Sequence, residues 1–377
     1  MKTVKIYIEP ASLPLTQHLL NYVKDYGDSS IINVIAFQRL KINTDAITKA
    51  NTAFIDNVNA GLNEKLEKMA GFVKALQPTG VEIHTNIHRE RDILFPLMKM
   101  LAQFYPLTRI RLHLYDDGSG SLIERSVIDS LEPAEFDRVM HKRKNQLLSV
   151  LTVPGRKEYR WTILDNYIWH HLIDTRYYFI TPHESVMNQV FYQKLAPYIT
   201  YTRFTLQGQT SAKENALLLR LVNFPVDLYH RLTHLSHDAA ALLFITSYCL
   251  EPQKAALYHQ RLIALIHQLK VAGRLPDPEK IIFKGHPENR KRNDEIRQAL
   301  GKSVTCVPDA IPVEFLHSFN LLPANIAGEF SSTFFSIESL KVKFVILKGK
   351  PEDEENKHFF DIARQYNAFD ADKMIYL

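Results

Sequence analysis

The sequence predicts an α/β protein built from two doubly wound, Rossmann-like domains. Three observations point there. The chain has 377 residues, more than one ordinary hydrophobic core supports. Its composition, 46% apolar and 23% charged, is that of a globular protein and not of a disordered one. Both halves alternate between the period-2 and period-3.6 hydrophobic patterns, which is how a helix-covered parallel sheet reads in sequence.

The elements follow in order. Val4, Ile6 and Ile8 alternate with polar residues as a strand, Leu15, Leu19, Leu20 and Val23 recur at helical spacing, and the run from Ile31 to Phe37 reads as a buried strand. Leu62, Leu66, Met69, Phe72, Val73 and Leu76 form a second helical stripe before the strand Val81-Glu82-Ile83. Ile93, Leu94, Leu97, Met98 and Leu101 form a third stripe before the strand marked by Ile110, Leu112 and Leu114. This first domain is expected to span 1–168. From about Trp169 a second series begins, with strands expected at Ala241–Thr246, Lys280–Phe283, Val304–Val307 and Phe344–Leu347, giving a second domain over 169–354. Residues 355–377 read as a helical segment returning to the first domain. Open parallel sheets bind ligands outside the carboxyl ends of their strands, so the functional loops are expected there, facing a shared cleft.

Several function classes are excluded. The formal net charge of +5 is small and spread out, apart from His141-Lys142-Arg143-Lys144 and Arg290-Lys291-Arg292, so nucleic-acid binding is not indicated. Those two clusters read as solvated faces, or as attraction to phosphates or an anionic membrane surface. Cys249 and Cys306 show no disulfide-scaffold or metal spacing and fit a reducing cytoplasm as core filler. No secretory signal pattern opens the chain and no run of about 18 apolar residues occurs, so a cytoplasmic protein is expected, with peripheral attachment at the inner face of the inner membrane left open. No GxGxxG follows the first strand, and GxxxxGK[ST], DxD and HExxH are absent, which argues against dinucleotide dehydrogenases, P-loop enzymes and metal-dependent transferases.

Three loops carry the candidate chemistry. Tyr115-Asp116-Asp117-Gly118-Ser119-Gly120 places an acidic pair after a strand, where a carboxylate can act as a base or simply form an Asx-type turn. Lys284-Gly285-His286-Pro287 also follows a strand. Its Lys and His can meet a phosphate and its Gly allows close backbone approach, although a histidine there is often only structural. Ser331-Ser332, ahead of a helix expected over 333–340, offers hydroxyls and a helix N-terminus to a phosphate, with plain capping as the alternative. Between these, Pro312 sets Glu314 in the first turn of a helix, where it can bind ribose hydroxyls or merely favour the dipole.

Together these motifs resemble bacterial sialyltransferases of glycosyltransferase family 80, whose D/E-D-G, HP and paired-serine motifs occur in the same order as Asp116-Asp117-Gly118, His286-Pro287 and Ser331-Ser332. Pro10-Ala11-Ser12-Leu13-Pro14 resembles that family's acceptor-side loop, and Phe319-Asn320-Leu321-Leu322-Pro323 continues its pattern. The resemblance implies a GT-B fold and an inverting, metal-independent transfer of sialic acid from CMP-Neu5Ac to a galactose-terminated glycan such as lipooligosaccharide. It implies Asp117 as general base and His286 at the CMP phosphate. Lys284, Gly285, Pro287 and Glu314 would form the rest of the nucleotide site, with Ser331 and Ser332 on phosphate oxygens. Ala11, Ser12, Arg39, Asn59, His88 or Arg89, Asp116 and Gly118 would contact a lactose-type acceptor. No cofactor or metal is implied. The family's mobile Gly/Thr/Trp loop falls on Phe244-Ile245-Thr246-Ser247-Tyr248-Cys249-Leu250, which lacks the glycine and the tryptophan, with Tyr248 as the candidate replacement ring. A transferase of another CMP-activated acidic sugar of the Kdo type, or a non-catalytic glycan- or nucleotide-binding module, remains the alternative reading. The α2,3 or α2,6 linkage is left open.

Overall fold

The computed structural model describes the chain except residues 1, 10–11, 38–39, 56–60, 117–120, 122–123, 126–127, 129–130, 153–160, 182–185, 203–209, 248–251, 338 and 366–368. Of residues 9, 12–13, 89–91, 202, 252–254, 354–355, 358, 362 and 365 only the backbone is described. The chain divides into two compact units, 1–203 with 210–223, and 204–209 with 224–377.

The first unit carries a seven-stranded sheet in the order β3-β2-β1-β4-β5-β6-β7, with every pair parallel. Its strands are β1 (Thr3–Glu9), β2 (Ile31–Phe37), β3 (Thr52–Phe54), β4 (Gly80–Asn86), β5 (Ile110–Tyr115), β6 (Asp174–Ile180) and β7 (Ile199–Thr202). β2 runs as Ile-Ile-Asn-Val-Ile-Ala-Phe, nearly continuous in β-branched and apolar residues, as a strand covered on both faces must be. The helix Leu62–Leu76 lays Leu66, Met69, Ala70 and Val73 onto the core. Each such large side chain, once fully buried, contributes about 1.5–3 kcal/mol.

The second unit carries six parallel strands in the order β10-β9-β8-β11-β12-β13: β8 (Leu242–Ile245), β9 (Ile281–Lys284), β10 (Thr305–Val307), β11 (Asn325–Glu329), β12 (Lys341–Leu347) and β13 (Met374–Tyr376). Leu242, Phe244, Ile281, Phe283, Ala327, Phe344 and Ile346 form its core with Leu262, Ile266 and Leu269 of the helix Pro252–Val271. Gly328 has φ +131°, and a Cβ there would lie 2.0 Å from the Ile245 carbonyl oxygen. Only glycine lets β11 approach the end of β8 so closely.

Two expectations about organisation are corrected. The boundary at 168/169 falls too early, because β6 and β7 extend the first sheet. Trp169, Tyr177 and Phe179 are buried in its core, with Phe179 5.9 Å from Phe191, ring to ring. The tail belongs to the second unit. After the helix Glu354–Gln365, Met374–Tyr376 pairs with β12, and Phe359 stacks on Phe330 at 4.2 Å. Among the described residues no helix is long and apolar enough to cross a membrane.

Candidate active site

Each sheet has one topological switch point, where successive crossovers depart in opposite directions: β1/β4 in the first unit and β8/β11 in the second. Loops after the carboxyl ends of these strands are the natural ligand positions, and the candidate motifs lie on or beside them.

In the second unit, β9 ends at Lys284, which is 7% exposed. Its ammonium donates to the carbonyls of Gly285 at 2.7 Å and Asp309 at 2.8 Å. Burial pulls its pKa down to about 8, although Asp309 and Glu314 favour the charged form. Gly285 is required by its neighbours, since an added Cβ would meet Asn293 Nδ2 at 2.3 Å and Asp309 Oδ1 at 2.6 Å. His286 and Pro287 are half-buried. The His286 backbone N–H donates to Thr246 Oγ1 at 3.0 Å and its carbonyl accepts from Asn293 Nδ2 at 2.8 Å. Its Nδ1 accepts the Glu288 N–H at 3.3 Å.

Glu314, in the first turn of the helix Val313–Ser318, is 4% exposed, and its Oε1 accepts from Ser336 Oγ at 2.9 Å. Burial pushes its carboxyl up, while Ser336 and the Lys284 charge pull the other way. After β11, Ser331 and Ser332 are half-buried. The helix expected over 333–340 is a single turn, Thr333–Ser336, closed by Ile337 in extended backbone. Its amides are used internally: Thr333 N–H reaches Ser331 Oγ, Phe334 N–H the Ser331 carbonyl, and Phe335 and Ser336 N–H the Ser332 carbonyl. Any anion held here meets serine hydroxyls, not a long helix dipole.

Sequence reasoning missed the residues that knit these loops together. Arg292, read as part of a solvated cluster, turns inward, while Arg290 and Lys291 stay exposed. Arg292 pairs with the buried Glu329 at 2.5 Å. Its periodicity on the helix Arg290–Leu300 gives no hint of a partner 37 positions away. Arg143 in the other cluster likewise pairs with buried Asp165.

In the first unit, Asp116 follows β5 directly and is 2% exposed. Its carboxylate takes Arg125 at 2.8 and 3.2 Å and the Ile180 N–H at 2.8 Å. Burial pushes this carboxyl up, with Arg125 opposing. Asp116, expected at the acceptor, thus points inward onto Arg125 and the Ile180 N–H. His88, after β4, makes Nε2 contact with Ser121 Oγ at 3.1 Å and Nδ1 contact with Glu124 Oε1 at 3.3 Å. Ala11, Arg39, Asn59, Asp117, Gly118 and Tyr248 lie outside the described residues, and for Ser12 and Arg89 only the backbone is described.

Among the described residues, Glu82, His84 and His113 form the one cluster with metal-ligand types. The two imidazoles stack at 4.2 Å and 3°, confining their lone pairs to parallel planes, and the Lys5 ammonium already lies 3.1 Å from Glu82. His84 and His113 Nδ1 each contact a tyrosine hydroxyl, of Tyr115 and Tyr178, at 2.9 Å. The cluster is a packed polar face of the sheet.

No curated protein matches the sequence significantly. Solved structures similar to it include an α/β-galactoside α2,3-sialyltransferase from Photobacterium phosphoreum (TM-score 0.78, 18% identity, 100% of this chain and 98% of that one). Another is a 2,6-sialyltransferase from Photobacterium sp. JT-ISH-224 in complex with CMP and lactose (TM-score 0.81, 20% identity, 100% and 78%). A third is the GT-B domain of a Photobacterium damselae sialyltransferase (TM-score 0.80, 20% identity, 99% of each chain). These likenesses establish the fold as GT-B. The family model described as Sialyltransferase PMO188 matches residues 4–371, so the chain belongs to that sialyltransferase family and is a glycosyltransferase.

Proposed function

We propose that this sialyltransferase moves Neu5Ac from CMP-Neu5Ac to a galactose-terminated glycan, with inversion and without a metal ion. The observation that carries the reading is the carboxyl-end side of the second unit's sheet, where Lys284 ends β9 and His286 follows it, Glu314 follows β10, and Ser331 and Ser332 follow β11. The Photobacterium enzyme solved with CMP and lactose supports a nucleotide donor and a galactoside acceptor.

The roles follow from the chemistry. The anomeric carbon of sialic acid carries a carboxylate and no hydrogen, so its bond to CMP breaks through an oxocarbenium-like state while negative charge grows on the phosphate. His286 and the Ser331 and Ser332 hydroxyls are the donors for that charge, each worth about 3–4 kcal/mol when preorganised. His286 meets the phosphate as a cation or acid. Glu314 takes the ribose hydroxyls, with Lys284 behind it. Asp117 removes the acceptor hydroxyl proton as that oxygen attacks, contributing roughly 10²–10⁴-fold. The new C–O bond forms as the bond to CMP breaks. Acceptor contacts fall to Ala11, Ser12, Arg39, Asn59, Gly118 and His88 or Arg89. The acceptor is a surface glycan of the lipooligosaccharide type, reached from the cytoplasmic side of the membrane.

One experiment tests donor, base and metal together. CMP-Neu5Ac and CMP-Kdo are offered with lactose to wild type and Asp117→Ala, with and without a chelator. The expected result is sialyl-lactose from CMP-Neu5Ac only, unchanged by chelator. Asp117→Ala should lose transfer by orders of magnitude while binding CMP normally. Preference for CMP-Kdo, loss of activity in chelator, or near-normal turnover of the variant would each overturn the corresponding part.

A further inference from the structure

Ser247 is the second residue after β8, on the central strand at the switch point, and both of its backbone polar groups are held by one ion pair. Its N–H donates to Glu329 Oε2 at 3.1 Å, and its carbonyl accepts from Arg292 Nη1 at 3.0 Å. Arg292 Nη2 in turn donates to Glu329 Oε1 at 2.5 Å. The three groups close a ring: peptide N–H to carboxylate, carboxylate to guanidinium, guanidinium to peptide carbonyl. Asn289 Nδ2 reaches the same carbonyl at 3.4 Å, and Lys348 Nζ reaches Ser247 Oγ at 3.4 Å. Glu329 is 1% exposed and the Arg292 side chain 12% exposed. Burying such a pair is costly and yields little net stability, so a pair kept at a ligand-binding edge calls for another explanation.

The neighbouring residue supplies it. Thr246 N–H donates to the Lys284 carbonyl at 3.1 Å, and its hydroxyl accepts the His286 N–H at 3.0 Å and reaches Asn293 Oδ1 at 3.3 Å. Whatever fixes Ser247 therefore fixes Thr246, and through it the backbone from which the His286 imidazole projects. The planar guanidinium fork is what allows one side chain to serve a carboxylate and a carbonyl at once, which a lysine ammonium cannot do in the same geometry.

We propose that Arg292 and Glu329 are positioning residues of the donor site, an ion-pair clamp that holds the Thr246-Ser247 peptide and so preorganises His286 for the phosphate. The role rests on the donor reading given above. Misplacing a catalytic group by about 1 Å can cost on the order of 10²-fold in rate. In the full-length chain, Arg292→Ala is expected to lower kcat/KM for the sialyl donor by about 10- to 100-fold while leaving the acceptor KM unchanged. Arg292→Lys is expected to recover only part of that loss, whereas added guanidinium should restore Arg292→Ala at an unchanged melting temperature. Glu329→Gln should reproduce the donor defect, and it carries the same comparison where Arg292→Ala fails to fold. Donor kinetics insensitive to these changes, or donor and acceptor KM rising together without guanidinium rescue, would overturn the clamp while leaving the transferase reading intact. A wild-type chain that binds no CMP by calorimetry would instead overturn the donor reading, and the clamp with it.

Discussion

Replacing Gly285 by alanine tests the architecture of the Lys284-Gly285-His286-Pro287 loop at a single methyl group. That methyl would lie 2.3 Å from Asn293 Nδ2, 2.4 Å from its Cγ and 2.6 Å from Asp309 Oδ1, where unstrained contacts begin at about 3.5 Å. Something must move by roughly 1 Å. Asn293 cannot swing aside freely, because it is 4% exposed and bonded to the His286 carbonyl, Asp309 Oδ2 and the Thr246 hydroxyl. Overpacking costs about 1–3 kcal/mol, and each of two broken hydrogen bonds adds about 0.5–1.5 kcal/mol. The total is about 2–6 kcal/mol, which lowers the melting temperature by at least roughly 4 °C for a unit of this size. The His286 loop takes the displacement, so CMP affinity should fall about tenfold or more, the equivalent of about 1.4 kcal/mol. Thermal melts and calorimetric titration with CMP read both quantities. A variant melting within about 2 °C of wild type and binding CMP equally well would refute the reasoning.

Further outcomes follow from charges that the fold has buried. Because the Lys284 pKa is lowered to about 8, its positive charge is lost as pH rises through that value, and donor kcat/KM should fall on that limb. Lys284→Met should abolish the limb, and a profile flat to pH 10 in the wild type would contradict it. Burial of Lys284 also makes the folded state bind fewer protons than the unfolded state between about pH 8 and the ordinary lysine value. Its contribution to stability therefore rises with pH across that window, opposite to its effect on the donor. Asp116→Ala breaks the buried ion pair with Arg125, whose guanidinium lies 4.4 Å from the Phe179 ring. It should cost about 3–5 kcal/mol, lowering the melting temperature by roughly 6 °C or more. An unchanged melt would show that the pair is dispensable.

Local signals made the parallel strands and the Lys284, His286 and Glu314 loops legible, because periodicity and turn residues act over a few positions. What escaped depends on distant partners. Asp116 and Asp117 are indistinguishable as neighbours in sequence. Arg125 and the Ile180 N–H, both brought in by the fold, hold Asp116 inward. Arg292 reads as one more charge on a polar helix until Glu329 arrives beside it from another strand. The Ser331-Ser332 helix stops after one turn because the backbone turns extended at Ile337, ahead of β12. The boundary expected at 168/169 leaves β6 and β7 on the wrong side for a related reason. A strand-helix-strand pattern repeats alike in both units, and nothing local marks the point at which the chain changes sheets.

That change of sheets matters to anyone cutting the gene. A fragment begun at Trp169 would carry Tyr177 and Phe179 on strands torn from their neighbours, with open edges and apolar faces that invite aggregation. The helix Ala212–Leu221 also stays with the first unit, where the Asn43 N–H donates to the Leu221 carbonyl at 2.8 Å. The severable point is the turn at Asn223, with φ +49°, ahead of Phe224-Pro225. A second unit expressed from Phe224 onward keeps all six of its strands, whereas the sequence boundary would have divided the other sheet.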